Sequence, residues 1–71
     1  MDRDTLLQAI DQGPVRVFMN DGQSFEISSL KDVAVDSMTA YVVYRDETNR
    51  YRAHWLSLVA MTRIEQIAAV A

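Results

Sequence analysis

The sequence predicts a mainly β domain, α+β by content: one amino-terminal helix followed by a small antiparallel barrel of about five strands. Three observations lead there. Leu6, Leu7 and Ile10 recur at helical spacing and are cut off by Gly13-Pro14. The segment from Val15 to Ile27 reads as two short β-patterned runs joined by the turn signal Asp21-Gly22. Further short Val- and Tyr-rich runs follow, each bounded by polar or turn residues, the spacing expected of a small all-β architecture. With 71 residues the chain reads as a single domain, 1–71, with the helix at about 3–12, the barrel at about 14–66 and a short carboxy-terminal tail.

The helix has its own stop and start signals. Asp2 or Asp4 can cap its amino end, where acids also suit the helix dipole. Gly13 can take a left-handed cap conformation, and Pro14 cannot continue the helix. About ten residues is too short for stability alone, so the Leu6/Leu7/Ile10 side must lie on a sheet face or its open end.

The hairpin register follows from residue types. A two-residue loop at Asp21-Gly22 would set Val17 against Glu26 and Arg16 against Ile27, mixing polarity on both faces. A type I turn at Asn20-Asp21 with Gly22 left-handed sets Val17 against Phe25, Val15 against Ile27, and Arg16 against Glu26. One face is then apolar and the other carries an opposite-charge pair. A one-residue slip reverses every side chain, so the bulged turn is the expected one.

Downstream, Leu30-Lys31-Asp32 reads as a turn, Val33-Ala34-Val35 as a strand fragment, and Asp36-Ser37 as a break. Met38 to Arg45 reads as a strand rich in Tyr and Val. Asp46–Asn49 is a polar loop before a strand at about Arg50 to Leu56. Alternation there separates Tyr51, Ala53 and Trp55, expected to point inward, from Arg50, Arg52 and His54, expected on the outer face. The segment from Ser57 onward has two readings. Leu58, Met61, Ile64 and Ile67 suit a helix by spacing, whereas a 3₁₀ turn at Ser57–Ala60 and a strand at Met61–Gln66 fit the preceding topology.

Composition narrows the function. Absence of cysteine removes disulfides and thiolate–metal clusters as staples, so the core rests on the 49 % apolar content. A chain this short buries only about 60 % of its unfolded surface, which weighs against a core and a deep catalytic cleft together. No apolar stretch approaches the ~18 residues of a membrane span. The start, Met1-Asp2-Arg3-Asp4-Thr5, has no hydrophobic signal core, so a cytoplasmic location is expected. Net charge is −3, with seven acids against three bases in residues 1–36 and three acids against four bases in 37–71. An acidic first half opposes general nucleic-acid affinity but leaves room for one local basic face.

Few residues suggest chemistry. His54 is the single histidine, with neither a second metal-ligating partner nor an evident nucleophile at recognisable spacing. Asp2, Asp4 and Asp11 read as capping and solvated acids, and Asp21-Gly22 as a turn. No catalytic residue, metal site or cofactor is therefore expected. Arg50, Arg52 and His54, with Arg45 across the preceding loop, form the candidate interaction face, next to Tyr44 and Trp55. Met38 and Met61 could line an oligomer interface.

Pro14-Val15-Arg16-Val17, Asp21-Gly22-Gln23-Ser24-Phe25-Glu26-Ile27, Tyr41-Val42-Val43-Tyr44 and Met61-Thr62-Arg63-Ile64-Glu65 together resemble the plan of a group of small uncharacterised bacterial proteins. More distantly, the order of elements is similar to the Sm-like fold, an SH3-like bent barrel preceded by a helix. That resemblance implies a 3₁₀ turn and a closing strand at the carboxy end, and the self-association of Sm-like barrels. The Tyr-Lys-His signature of bacterial Sm-like RNA chaperones is absent, with Arg52-Ala53-His54-Trp55 in the nearest region. No uridine site therefore carries over. The expected function is a non-catalytic interaction module binding a protein or a copy of itself as a homo-oligomer, a dimer before a ring. The alternative is an Sm-like RNA-binding protein using the Arg45/Arg50/Arg52/His54 face.

Overall fold

In the computed structural model, which describes residues 1–67, one helix precedes six strands in two three-stranded sheets. Helix α1 spans Arg3–Asp11. The Asp2 carboxylate accepts from the Thr5 amide at 2.7 Å, a single cap of the kind that satisfies one free first-turn donor. Gln12 closes the helix, and Gly13 reverses the chain at φ +138°. Leu6 and Ile10 are buried beneath it.

Strands β1 (Val15–Met19) and β2 (Ser24–Ile27) form the predicted hairpin. The pairs are Val15 with Ile27, Arg16 with Glu26, and Val17 with Phe25. Met19 N–H donates to the Gln23 carbonyl at 2.8 Å and Gly22 N–H to the Met19 carbonyl at 3.1 Å, with Gly22 at φ +89°. This is the type I turn with a left-handed glycine. Arg16 ion-pairs with Glu26 on the solvent side, as face-matching requires.

After β2, Ser29 caps a 3₁₀ turn at Leu30–Asp32, which leads directly into β3 (Val33–Val35). Asp36 then accepts from the Met38 and Thr39 amides and turns the chain into β4 (Thr39–Arg45). Asp46 organises the next turn, which leads to β5 (Tyr51–Ser57). A tight turn at Ser57–Ala60 follows, and β6 (Met61–Gln66) closes the chain. The strand reading of the carboxy-terminal segment therefore holds over the described residues. Residues 68–71 of the expected carboxy-terminal tail lie outside them.

One sheet runs β2-β1-β6, joining the first strand to the last, and the other runs β3-β4-β5. The mainly β plan with one amino-terminal helix is present, but the expected five-stranded barrel is corrected. There are six strands, and no closed barrel forms among the described residues. The reason is local: β2 ends at Ile27, and Ser28-Ser29 with the 3₁₀ turn separates it from β3. β2 consequently pairs only with β1, and β3 only with β4.

The core lies between the sheets and under the helix. It comprises Leu6, Ile10, Val15, Val17, Ile27, Ala40, Val42, Leu56, Leu58 and Met61. At the helix end of the first sheet, the Gln66 side-chain amide donates to the carbonyls of Gly13 at 3.0 Å and Pro14 at 3.2 Å. That contact ties the helix exit to the last strand. No described helix is long and apolar enough to cross a membrane.

Candidate interaction surface

The alternation predicted in β5 is present, but its sense is reversed. Leu56 is buried opposite Ala40, which is also buried, so the Arg52/His54/Leu56 set faces inward. Tyr51, Ala53 and Trp55 face solvent. Arg52 shares that parity, yet its side chain is 61 % exposed and its charge stays solvated.

The outer face of sheet β3-β4-β5 is consequently aromatic. Ala34, Tyr41 and Trp55 form one row across the three strands, Val43 and Ala53 a second, and Arg45 and Tyr51 a third. Trp55 is 74 % exposed and Tyr51 70 % exposed. The Tyr41 and Trp55 rings meet with centroids 4.5 Å apart at 51°. Beside them a shallow depression of about 270 Å³ lies between Tyr41, Trp55, Ala34 and the Asp36 turn. No described element covers this face.

The four residues expected to form one basic face are divided. Arg45 belongs to the outer face: its guanidinium lies 4.7 Å over the Tyr51 ring and donates to Tyr51 Oη at 2.8 Å and Asn49 Oδ1 at 3.0 Å. Arg50 is exposed at the turn, and its amide donates to Asp46. Arg52 lies 3.7 Å from the Asp46 carboxylate. His54 is half-buried on the other side of the sheet. Its Nε2 is 2.9 Å from Tyr44 Oη, and its ring meets Phe25 of β2 at 4.7 Å.

The acids serve the turns. The Thr48 hydroxyl, then the Arg50 amide, hold Asp46 below the usual carboxylate range. The Met38 and Thr39 amides do the same for Asp36, and Thr5 does so for Asp2. Among the described residues no group of three or more His, Asp or Glu side chains could hold a metal ion.

A second concavity, a solvent-open groove of about 770 Å³, lies between β2 and the end of β4. Phe25, Tyr44 and His54 line it, with Glu26, Asp32 and Val43 at its sides. Sequence reasoning placed neither this groove nor the outward Tyr51 and Trp55. The available signal was Leu56, which shares parity with His54 and is the one large aliphatic residue of β5. No protein-family model, no curated protein and no solved structure matches this chain.

Proposed function

We propose that this protein is a non-catalytic interaction module that associates with a second copy of itself through the outer face of sheet β3-β4-β5. The observation that carries the reading is the exposure of Trp55 and Tyr51 on an uncovered apolar sheet face. Singly exposed apolar residues are ordinary, whereas a contiguous patch marks an interaction site. Three aromatic rings with Ala34, Val43 and Ala53 present on the order of 500 Å². Two such faces together reach about the 1,000 Å² that a specific interface needs. The non-catalytic part is supported by the commitments of the polar groups. His54 is engaged by Tyr44 and Phe25, and the Asp2, Asp36 and Asp46 carboxylates are engaged by their own turns.

We also propose that the two sheets are an opened SH3/Sm-like barrel. Its support is the pairing of β1 with β6 and the Phe25–His54 contact between the sheets.

Sedimentation equilibrium across micromolar to millimolar concentrations tests the self-association. A dimer that Trp55→Ser converts to a folded monomer is expected; a wild-type monomer throughout that range overturns it. A second reading, single-stranded RNA on this face, is favoured by Arg45 over Tyr51 beside the outward Trp55, since rings with an adjacent cation stack bases. It requires low-salt binding of a labelled oligouridine that Arg45→Glu abolishes.

A further inference from the structure

We infer that the groove between β2 and β4 accepts an extended, basic segment of a partner protein as an added β-strand. The inference goes beyond self-association and concerns the β2 side of the groove, which meets the outer face only at Val43, Arg45 and Tyr51. It begins with hydrogen-bond alternation. In an antiparallel pair, successive residues turn their N–H and C=O groups to alternate sides. Met19 bonds Gln23, so residues 23, 25 and 27 face β1, and Ser24, Glu26 and Ser28 turn their backbone groups to the outer edge.

On β4, the Asp36 amide bonds the Thr39 carbonyl, so Thr39, Tyr41, Val43 and Arg45 face the β3 side. β3 begins at Val33, opposite Val42. Asp32 continues that register opposite Val43, so on this side Arg45 is the β4 residue without a partner. The free edge of β2 thus flanks one groove, and the residues that present it also line it: Ser24, Glu26 and Ser28, with the Arg45 end of β4 opposite. The β2 wall from Ser24 to Ser28 runs about 13 Å, the length of four to five extended residues. An unpaired edge is a template for strand addition.

The charge of the occupant follows from the walls. Glu26 and Asp32 stand on the β2 side, and Asp32 is half-buried with only the Ser29 hydroxyl near it, at 3.5 Å. Among the described residues no basic group pairs with Asp32. The one groove-lining guanidinium, Arg45, donates to the neutral Asn49 and Tyr51 and keeps its charge, while forming no ion pair with Asp32. Glu26 is already paired with Arg16, so Asp32 is the groove carboxylate without a basic partner, and a basic side chain on an incoming strand supplies one. Phe25, Tyr44 and His54 supply an aromatic floor for apolar side chains at alternate positions.

The test uses the full chain and a seven-residue peptide alternating lysine with valine and phenylalanine, followed by amide NMR. Binding is expected to shift Ser24, Glu26, Ser28 and Arg45 and to slow hydrogen exchange at their amides. The same peptide with glutamate for lysine should bind at least ten-fold more weakly. Backbone N-methylation at alternate residues should abolish binding, and Asp32→Asn should weaken it about three- to five-fold. In the Trp55→Ser variant peptide binding should persist, which separates this site from the proposed dimer face. Equal affinity for the acidic peptide, indifference to N-methylation, shifts confined to Ala34, Tyr41 and Trp55, or no shifts at millimolar peptide each overturn the inference.

Discussion

His54 Nε2 stands 2.9 Å from Tyr44 Oη, and the two rings stack with centroids 5.1 Å apart and planes 10° from parallel. The residues are diagonal neighbours across β4 and β5, because His54 pairs with Val42 and Tyr44 with Arg52. Phe25 reaches His54 from the other sheet at 4.7 Å, so this imidazole joins the two halves of the fold on its open side. Tyr44→Phe keeps the stacking and removes the hydroxyl. The expected cost is about 0.5–1.5 kcal/mol, a few degrees in melting temperature for a domain of this size. The His54 ring ¹⁵N shifts should change with it, because the hydroxyl acts on Nε2. Unchanged ring shifts would remove the hydrogen bond from the account.

Gly22 sits at φ +89° with no atom within 4 Å of where a Cβ would stand. Substitution there is opposed by backbone conformation alone. Gly22→Val should cost about 1–2 kcal/mol, the strain of a β-branched residue at positive φ. Gly22→Asn should cost less than half of that, since asparagine tolerates the left-handed region. Equal melting temperatures for the two variants would contradict the bulged turn.

The hairpin was legible because two faces of opposite polarity had to match, and only one register matches them. The helix was legible from Asp2 at one end and Gly13-Pro14 at the other. The orientation of β5 was not, because alternation separates two sets of residues without saying which meets the core. Tyr51, Ala53 and Trp55 look more apolar than Arg52, His54 and Leu56, yet Leu56 opposite Ala40 decides the direction. Closure was unreadable for a related reason. It depends on whether the chain after Ile27 continues as strand, and Ser29 capping the 3₁₀ turn at Leu30–Asp32 ends it. The candidate site inherits both effects: the four basic positions divide between faces, and the groove exists because β2 stops short.

Asp46 gathers its turn with bonds from the Thr48 hydroxyl at 2.7 Å, the Thr48 amide at 2.9 Å and the Arg50 amide at 3.1 Å. These donors favour the ionised carboxylate and hold it below the ordinary value of 3.8. A depressed folded-state pKa contributes stability that is present above the unfolded value and lost as pH falls through the folded one. Asp36 and Asp2 act in the same direction. The melting temperature should therefore fall as pH drops below about 4. Asp46→Asn should melt lower at neutral pH and show a shallower acid decline. Parallel curves for the two proteins would show that this carboxylate contributes nothing to acid sensitivity.

Leu6 is fully buried and Ile10 is 2 % exposed, and together they anchor a nine-residue helix. A helix of that length does not persist in water by itself, so its order derives from this burial. Leu6→Ala removes the buried side chain and leaves a cavity between helix and sheets, at a cost of about 2–5 kcal/mol. For 71 residues the whole stability is on the order of 4–11 kcal/mol, so the loss is a large share of the total. Leu7→Ala, at a half-buried position, should cost less. If the helix is integral to the core, urea unfolding of Leu6→Ala followed by amide NMR will lose helix and strand signals in one transition at lower denaturant. Survival of the β1 and β4 signals after those of residues 3–11 have gone would instead make the helix an appendage on an independently folded pair of sheets.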